Sequence, residues 1–146
     1  MEILKADKYI SEKLNIKPVS KDRLGSFSKE PEVDDKTKQF IKDNNLVWNP
    51  VTRNYDCNGN VKVNSDIVED GRLAIRFGYV KGNFNCAYIG LETLDGVPNK
   101  VGGYFACNGN YLTSLNYAPK EVGGYFDCKN NKLVSLEGSP KIVGNH

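Results

Sequence analysis

The segments VGGYFACNGNYLTSLNYAPKE (residues 101–121) and VGGYFDCKNNKLVSLEGSPKI (residues 122–142) are adjacent and nearly identical. A more divergent copy precedes them, so that five columns of residues recur at intervals of 21. These columns are Phe84/Phe105/Phe126, Cys86/Cys107/Cys128, Leu91/Leu112/Leu133, Leu94/Leu115/Leu136 and Pro98/Pro119/Pro140. A fixed period of this length indicates a solenoid in which each repeat forms one coil and buries its apolar side against its neighbours.

Within a copy, Phe and Cys stand two residues apart, which places both on one side of an extended strand. Turn-forming residues follow, as in Asn108-Gly109-Asn110, and two Leu then point back inward. We therefore expect the Phe and Cys residues to form a structural ladder inside the stack. Its members are Phe84, Cys86, Phe105, Cys107, Phe126 and Cys128. A metal site or redox pair is the alternative for the thiols. Zinc-type C-x-x-C spacing does not occur, so we favour small buried core residues and expect no metal.

The turn asparagines Asn110 and Asn131 are expected to hydrogen-bond the backbone of adjacent coils rather than a partner. Ile89 takes this place in the first copy. Further upstream, Val61 and Val63 precede Phe84 and Cys86 by 23 residues, and Val68 stands where Leu91 would be on that offset. This spacing predicts a longer first coil, with residues 73–80 as its return segment.

The stretch NYDCNGNVKV (residues 54–63) consists of two alternating runs around Asn58-Gly59, a strong hairpin signal. Cys57 would then belong to the hairpin and not to the ladder. The first fifty residues are instead charged and helical in pattern. We expect an N-terminal helical module over residues 1–28. A linker and a helix over residues 29–50 would follow, with Asp34 or Asp35 as the N-cap and Phe40 covering the first coil.

Composition excludes several classes of protein. The net charge is +2 with both signs mixed along the chain, so we do not favour a nucleic-acid partner. Nucleic-acid binding through the N-terminal lysines and the Tyr pair is the third alternative for the function. No apolar run is long enough to span a membrane, and the N-terminus lacks the pattern of a secretory signal, so we expect a cytoplasmic protein. The one histidine is His146, and neither phosphate-binding glycine motif occurs. We therefore expect no enzymatic activity and no cofactor.

The unit Phe-x-Cys-x-x-Asn-x-Leu-x-Ser-Leu-x-x-x-Pro, from Phe126 to Pro140, resembles a short bacterial leucine-rich repeat. GGYFDCKNNKLVSLEGSPK is similar to repeats in small proteins of tailed bacteriophages, and the lead-in from residue 47 resembles theirs. The opening KYISEKLNIKPVSKDRL resembles a module that phage proteins attach to unrelated bodies. The fold class implied is α+β: a leucine-rich-repeat-like β-solenoid of three to four coils, preceded by a β-hairpin and a helical cap. Residues 51–80 would hold the hairpin and an irregular coil, and residues 81–146 three repeats.

A solenoid presents the outward positions of its strands as one face. The predicted partner-binding residues on this face are Asn83, Asn85, Tyr104, Ala106, Asn108, Tyr125, Asp127 and Lys129. The two Tyr are either binding hot spots or rings packed between coils. The resemblance implies a phage protein that binds a host protein in the host cytoplasm, blocking a defence system or being sensed by one. A virion-associated accessory protein, targeted by its N-terminal segment, is the alternative. We also expect the edge at residues 126–146 to contact a second copy or a partner.

Overall fold

The structure, a computed structural model, describes residues 29–144. The N-terminal module predicted for residues 1–28 lies outside this range, and so does His146. The described residues form a β-solenoid of about four coils with one short helix, which confirms the predicted solenoid. We number the coils as residues 58–80, 81–101, 102–122 and 123–144. Among the described residues, no helix has the length and apolar character needed to cross a membrane.

Short strands follow the helix in chain order. The N-terminal elements are α1 (Asp35–Asp43), β1 (Val47–Asn49), β2 (Asn54–Cys57), β3 (Val61–Lys62), a 3-10 turn (Ser65–Ile67), β4 (Val68–Glu69) and β5 (Arg72–Leu73). The remaining strands are β6 (Phe77–Val80), β7 (Phe84–Asn85), β8 (Lys100–Val101), β9 (Phe105–Ala106), β10 (Glu121–Val122), β11 (Phe126–Asp127) and β12 (Ile142–Val143).

Two sheets run along the stack. One has six strands in the order β1-β2-β6-β8-β10-β12, of which only the β1–β2 pair is antiparallel. The other has four parallel strands in the order β11-β9-β7-β3. Its register joins Phe84 to Phe105 and Phe105 to Phe126, so residues 21 apart in sequence are direct neighbours in space. The sequence period is thus the register of the sheet.

The core is a set of stacked like residues. The Phe84 and Phe105 rings lie 5.6 Å apart and nearly parallel, at 7°, and the Phe105 and Phe126 rings lie 5.5 Å apart. The two Leu of both the second and the third coil are fully buried. Each such side chain contributes about 1.5–3 kcal/mol by leaving water. The stack extends upstream through Val61, which pairs with Phe84. Ile67, however, is fully buried and the adjacent Val68 only half-buried, which corrects the predicted place of Val68.

The hairpin predicted at Asn58-Gly59 is wrong. β2 and β3 belong to different sheets, so the chain turns a corner between them instead of folding back. Gly59 begins a column of corner glycines: its carbonyl accepts a hydrogen bond from the Gly82 N–H, and the Gly82 carbonyl accepts one from Gly103. The antiparallel hairpins are β1–β2 and β4–β5. Cys57 pairs with Val80 in the six-stranded sheet and therefore lies outside the ladder.

The helix α1 lies against the first coil. The Asp34 carboxylate accepts a hydrogen bond from the Thr37 N–H at 2.8 Å and caps the helix N-terminus. Phe40 is 3% exposed, and its ring meets the edge of Phe77 with centroids 6.5 Å apart. The helix therefore covers apolar side chains at the N-terminal end of the stack.

The fourth coil is the least buried. Leu136 is 67% exposed, whereas the equivalent Leu115 is fully buried, and Val143 is 44% exposed against 0% for Val122. Within residues 29–144, no other part of the chain covers these apolar side chains. The predicted contact of residues 126–146 with a second copy or a partner stays a prediction.

Candidate functional site: the outer face of the four-stranded sheet

The outer face of the β3-β7-β9-β11 sheet consists of three columns. Each coil contributes three residues, which lie on either side of its two core residues. In the third coil, where the core residues are Phe105 and Cys107, they are Tyr104, Ala106 and Asn108. Because the strands are parallel and in register, equivalent residues stand side by side along the stack. The structure thus places the eight predicted partner-binding residues on one surface, although not all of them present side chains to solvent.

Ala106 is a correction. It is only 6% exposed, so it offers almost no surface to a partner. Its neighbours in the same column are Asn85 and Asp127, whose larger side chains stand on either side of its methyl group. The prediction assumed that every outward strand position is accessible, but a small residue between two larger ones is shielded.

The polar side chains of the face brace its backbone. The side-chain oxygen of Asn83 accepts a hydrogen bond from the Tyr104 N–H at 2.9 Å, in the next coil. Asn85 accepts one from the Ala87 N–H, and Asp127 one from the Lys129 N–H, both at 3.0 Å. Groups held in this way lose little freedom when a partner binds, so the face is preorganised.

The two Tyr of the first column pack between coils. The Tyr104 and Tyr125 rings are 4.7 Å apart and almost parallel, at 6°. Of the two interpretations open from the sequence, ring packing is the one that the structure shows. Tyr125 is still 49% exposed, so this ordered pair also forms an aromatic edge of the face.

Sequence reasoning missed Tyr88, which forms the opposite edge. It is 69% exposed and has a left-handed backbone with φ of 57°. Its ring lies across Gly109 of the next coil, where an added Cβ would come within 2.1 Å of the ring. Gly109 and Asn130, the equivalent residues in the other copies, are also left-handed. A Tyr in a column of Gly and Asn was the available signal, since bulky residues rarely adopt this conformation.

The thiols beneath the face are poorly reactive. Cys86 and Cys107 are fully buried, and burial raises the pKa of Cys107 to about 12 and that of Cys86 well above its usual range. Cys128 is half-buried, and burial also raises its pKa. The thiolate is the form that attacks electrophiles or binds metal, and here it is disfavoured. In the part of the chain that the structure describes, no group of three or more metal-binding side chains occurs.

The face has little charge. Its ionic groups are Lys62, Asp127 and Lys129, and its other exposed side chains are mainly Asn and Tyr. Tyr and Asn are also among the residues enriched in antibody paratopes, because Tyr contributes contact area at low entropic cost and Asn adapts its hydrogen bonds. Comparisons of the chain with protein-family models, curated proteins and solved structures find no match.

Proposed function

We propose that the chain is a non-enzymatic protein-interaction module that binds its partner on the outer face of the four-stranded sheet. The observation that supports this most directly is the pair of aromatic edges, Tyr125 on one side and Tyr88 on the other, with a low-charge surface between them. Aromatic residues at interfaces are frequent binding hot spots. The braced backbone reduces the entropic cost of association.

The resemblance to bacteriophage repeats suggests the kind of partner. We propose that the partner is a host protein in the host cytoplasm. By binding it, the chain either blocks a host defence system or is recognised by one. The alternative is an accessory component of the virion, and it predicts that the protein is found in purified particles. The resemblance of the repeats to leucine-rich repeats is likewise part of this proposal.

Two substitutions in the third coil test the face. Asn108 lies on it, after the core Cys107, and its side chain makes no hydrogen bond among the described residues. Asn116 lies at a turn on another side of the same coil and is exposed. Asn108→Arg therefore adds bulk and charge to the face, and Asn116→Arg adds the same group elsewhere.

The experiment is affinity capture from infected host cells with the wild-type chain and both variants. We expect the wild type and Asn116→Arg to recover the same host protein, and Asn108→Arg to lose it. Equal recovery by all three chains would refute the face as the binding site. If repeated captures recover no protein and purified virions contain the chain, the accessory-component alternative replaces this proposal.

A further inference from the structure

A cavity lies at the N-terminal end of the stack, apart from the outer face. It has a volume of about 330 Å³ and opens between the segment before α1, the β1–β2 hairpin and the β5–β6 connection. Its apolar lining includes the buried residues Tyr55, Leu73 and Ile75 and the half-buried Trp48. This volume is within the range of sites for small ligands, and an apolar lining with a few polar groups is their usual composition.

Three of the four arginines in the chain line this cavity. They are Arg53, Arg72 and Arg76, which come from the β1–β2 turn, from β5 and from the segment before β6. The acidic lining residues are Asp95 and Glu32, and Glu32 also pairs with Lys29 at 3.8 Å. The arginines therefore leave a surplus of positive charge around an apolar cavity.

Asp95 orients two of these arginines from one side. Its carboxylate lies 3.0 Å from Arg76 Nη1 and 3.8 Å from Arg72 Nη1. The Asp95 side chain is 21% exposed, whereas those of Arg72 and Arg76 are 60% and 65% exposed. A guanidinium has five N–H donors in a fixed fork, so one shared carboxylate leaves donors on both arginines for another anion.

Arg53 has no ion pair among the described residues. Its backbone is left-handed, with φ of 61°, and its N–H donates to the Asn49 carbonyl at 2.7 Å. This conformation is unfavourable for a long side chain, and such residues cluster at ligand sites. Within residues 29–144, Arg53 is therefore a cation without an ion pair that lines the same cavity as Trp48.

We propose that this cavity binds a small ligand that combines a flat ring with a phosphate or carboxylate group. The ring would pack against Trp48 and the apolar lining, and the anion would accept hydrogen bonds from Arg53 and from the open sides of Arg72 and Arg76. Bidentate pairing of arginine with phosphate or carboxylate is among the strongest protein hydrogen-bond arrangements. The site is distinct from the outer face, so it functions whether or not that face binds a protein.

Tryptophan fluorescence tests the proposal, because Trp48 is the only tryptophan in the chain. The full chain is titrated with phenyl phosphate, benzoate, inorganic phosphate and benzamide, which separate the ring from the anion and phosphate from carboxylate. We expect a saturable change with phenyl phosphate, benzoate or both, at an affinity at least tenfold above that of either single-group probe. No saturable change with either ring-bearing anion, or an affinity for both of them no greater than that for inorganic phosphate or benzamide, would overturn the proposal.

Variants separate the cavity from general surface charge. Arg53→Gln should weaken binding of the ring-bearing anion at least tenfold, and it removes a side chain that has no ion pair in the described part of the chain, so the fold should be kept. Lys100→Gln is the control, because Lys100 pairs with Glu121 on the outer side of the six-stranded sheet, outside the cavity lining. Unchanged binding by Arg53→Gln, with a native circular dichroism spectrum, would refute the assignment.

Discussion

The side chain of Asn110 holds two coils together, and its removal should be among the most damaging single changes to the fold. Asn110 is 4% exposed. Its Oδ1 accepts from the N–H groups of Ile89 and Leu91, at 3.1 and 3.0 Å, in the preceding coil. Its Nδ2 donates to the carbonyls of Cys86 and Cys107, each at 2.9 Å. One side chain therefore satisfies four backbone groups in a region with little access to water.

Asn110→Ala leaves the Ile89 and Leu91 N–H groups and the Cys86 carbonyl without this partner, while the Cys107 carbonyl keeps the hydrogen bond from Asn131 Nδ2. An unsatisfied buried polar group costs about 1–3 kcal/mol, so three such groups give a loss of about 3 kcal/mol even at the low end of that range. Domains of this size unfold with about 5–15 kcal/mol in total, so the variant should be near the limit of stability.

Asn131 is the matched control, because it makes the same kind of bonds one coil later. It accepts from the Leu112 N–H and donates to the Cys107 and Cys128 carbonyls, all at 3.0 Å. Asn131 is only half-buried, so water can replace its bonds, and Asn131→Ala should cost about 1–2 kcal/mol.

Urea unfolding followed by far-ultraviolet circular dichroism measures both losses. Because coils of a solenoid can open separately, hydrogen exchange at the Ile89 and Leu91 amides should show where Asn110→Ala acts. A loss below 1 kcal/mol for Asn110→Ala, or a greater loss for Asn131→Ala, would refute the view that this column of asparagines fastens the coils.

Three further outcomes follow from burial and close approach. In the native protein, alkylation followed by mass spectrometry should modify Cys128 first and Cys86 last, and equal rates would mean that the coils open together. Burial raises the pKa of Cys107 from its ordinary 9.0 to about 12. The stabilisation from keeping this thiol neutral is therefore complete below pH 9 and is lost as the pH rises toward 12. Across that range, the free energy of unfolding should fall more steeply for the wild type than for Cys107→Ala. Gly123→Ala would place a Cβ 2.1 Å from the Gly102 carbonyl oxygen and should lower the free energy of unfolding by about 1–3 kcal/mol. In Gly59→Ala the added Cβ meets nothing within 4 Å, so this control should be nearly neutral. Equal melting temperatures of the two variants would contradict this reasoning.

The regular part of the fold was predictable because stacking turns a spatial constraint into a sequence period. Phe105 can lie against both Phe84 and Phe126 in parallel register only if the three are evenly spaced along the chain. The asparagine bonds followed from the same reasoning, since an inward turn must satisfy its own backbone groups.

The errors lie where a local signal has two structural outcomes. Asn58-Gly59 permits a sharp change of direction, which serves a hairpin or a corner between two sheets equally well. The outcome depends on which partner each strand finds. β3 pairs with β7 across 23 residues, whereas β2 pairs with β1 on one edge and β6 on the other and has no edge left for β3. Ala106 is a similar case, because its exposure depends on neighbours from two other coils.

The arginine cavity was hidden for a different reason. Arg53, Arg72 and Arg76 follow no period and belong to the irregular part of the chain, where no repeat predicts the register. Only the bulged pairing of β2 with β6 and the short β4–β5 hairpin bring them to one cavity. Sites built from the irregular end of a solenoid are therefore much harder to predict from sequence than the surface of its repeats.

The first column of the outer face shows how much of a repeat surface is already used for structure. Between the first two coils the Asn60 side chain accepts from the Asn83 N–H, and between the last two the Tyr104 and Tyr125 rings stack. Both arrangements fasten neighbouring coils, by different chemistry. The residues that recognise a particular partner must then be ones that do not hold neighbouring coils together. Asn108, whose side chain makes no hydrogen bond among the described residues, fits that condition, as does the exposed side of the Tyr88 ring. The specificity of the face should therefore change with substitutions at these two positions and not with those that brace the stack.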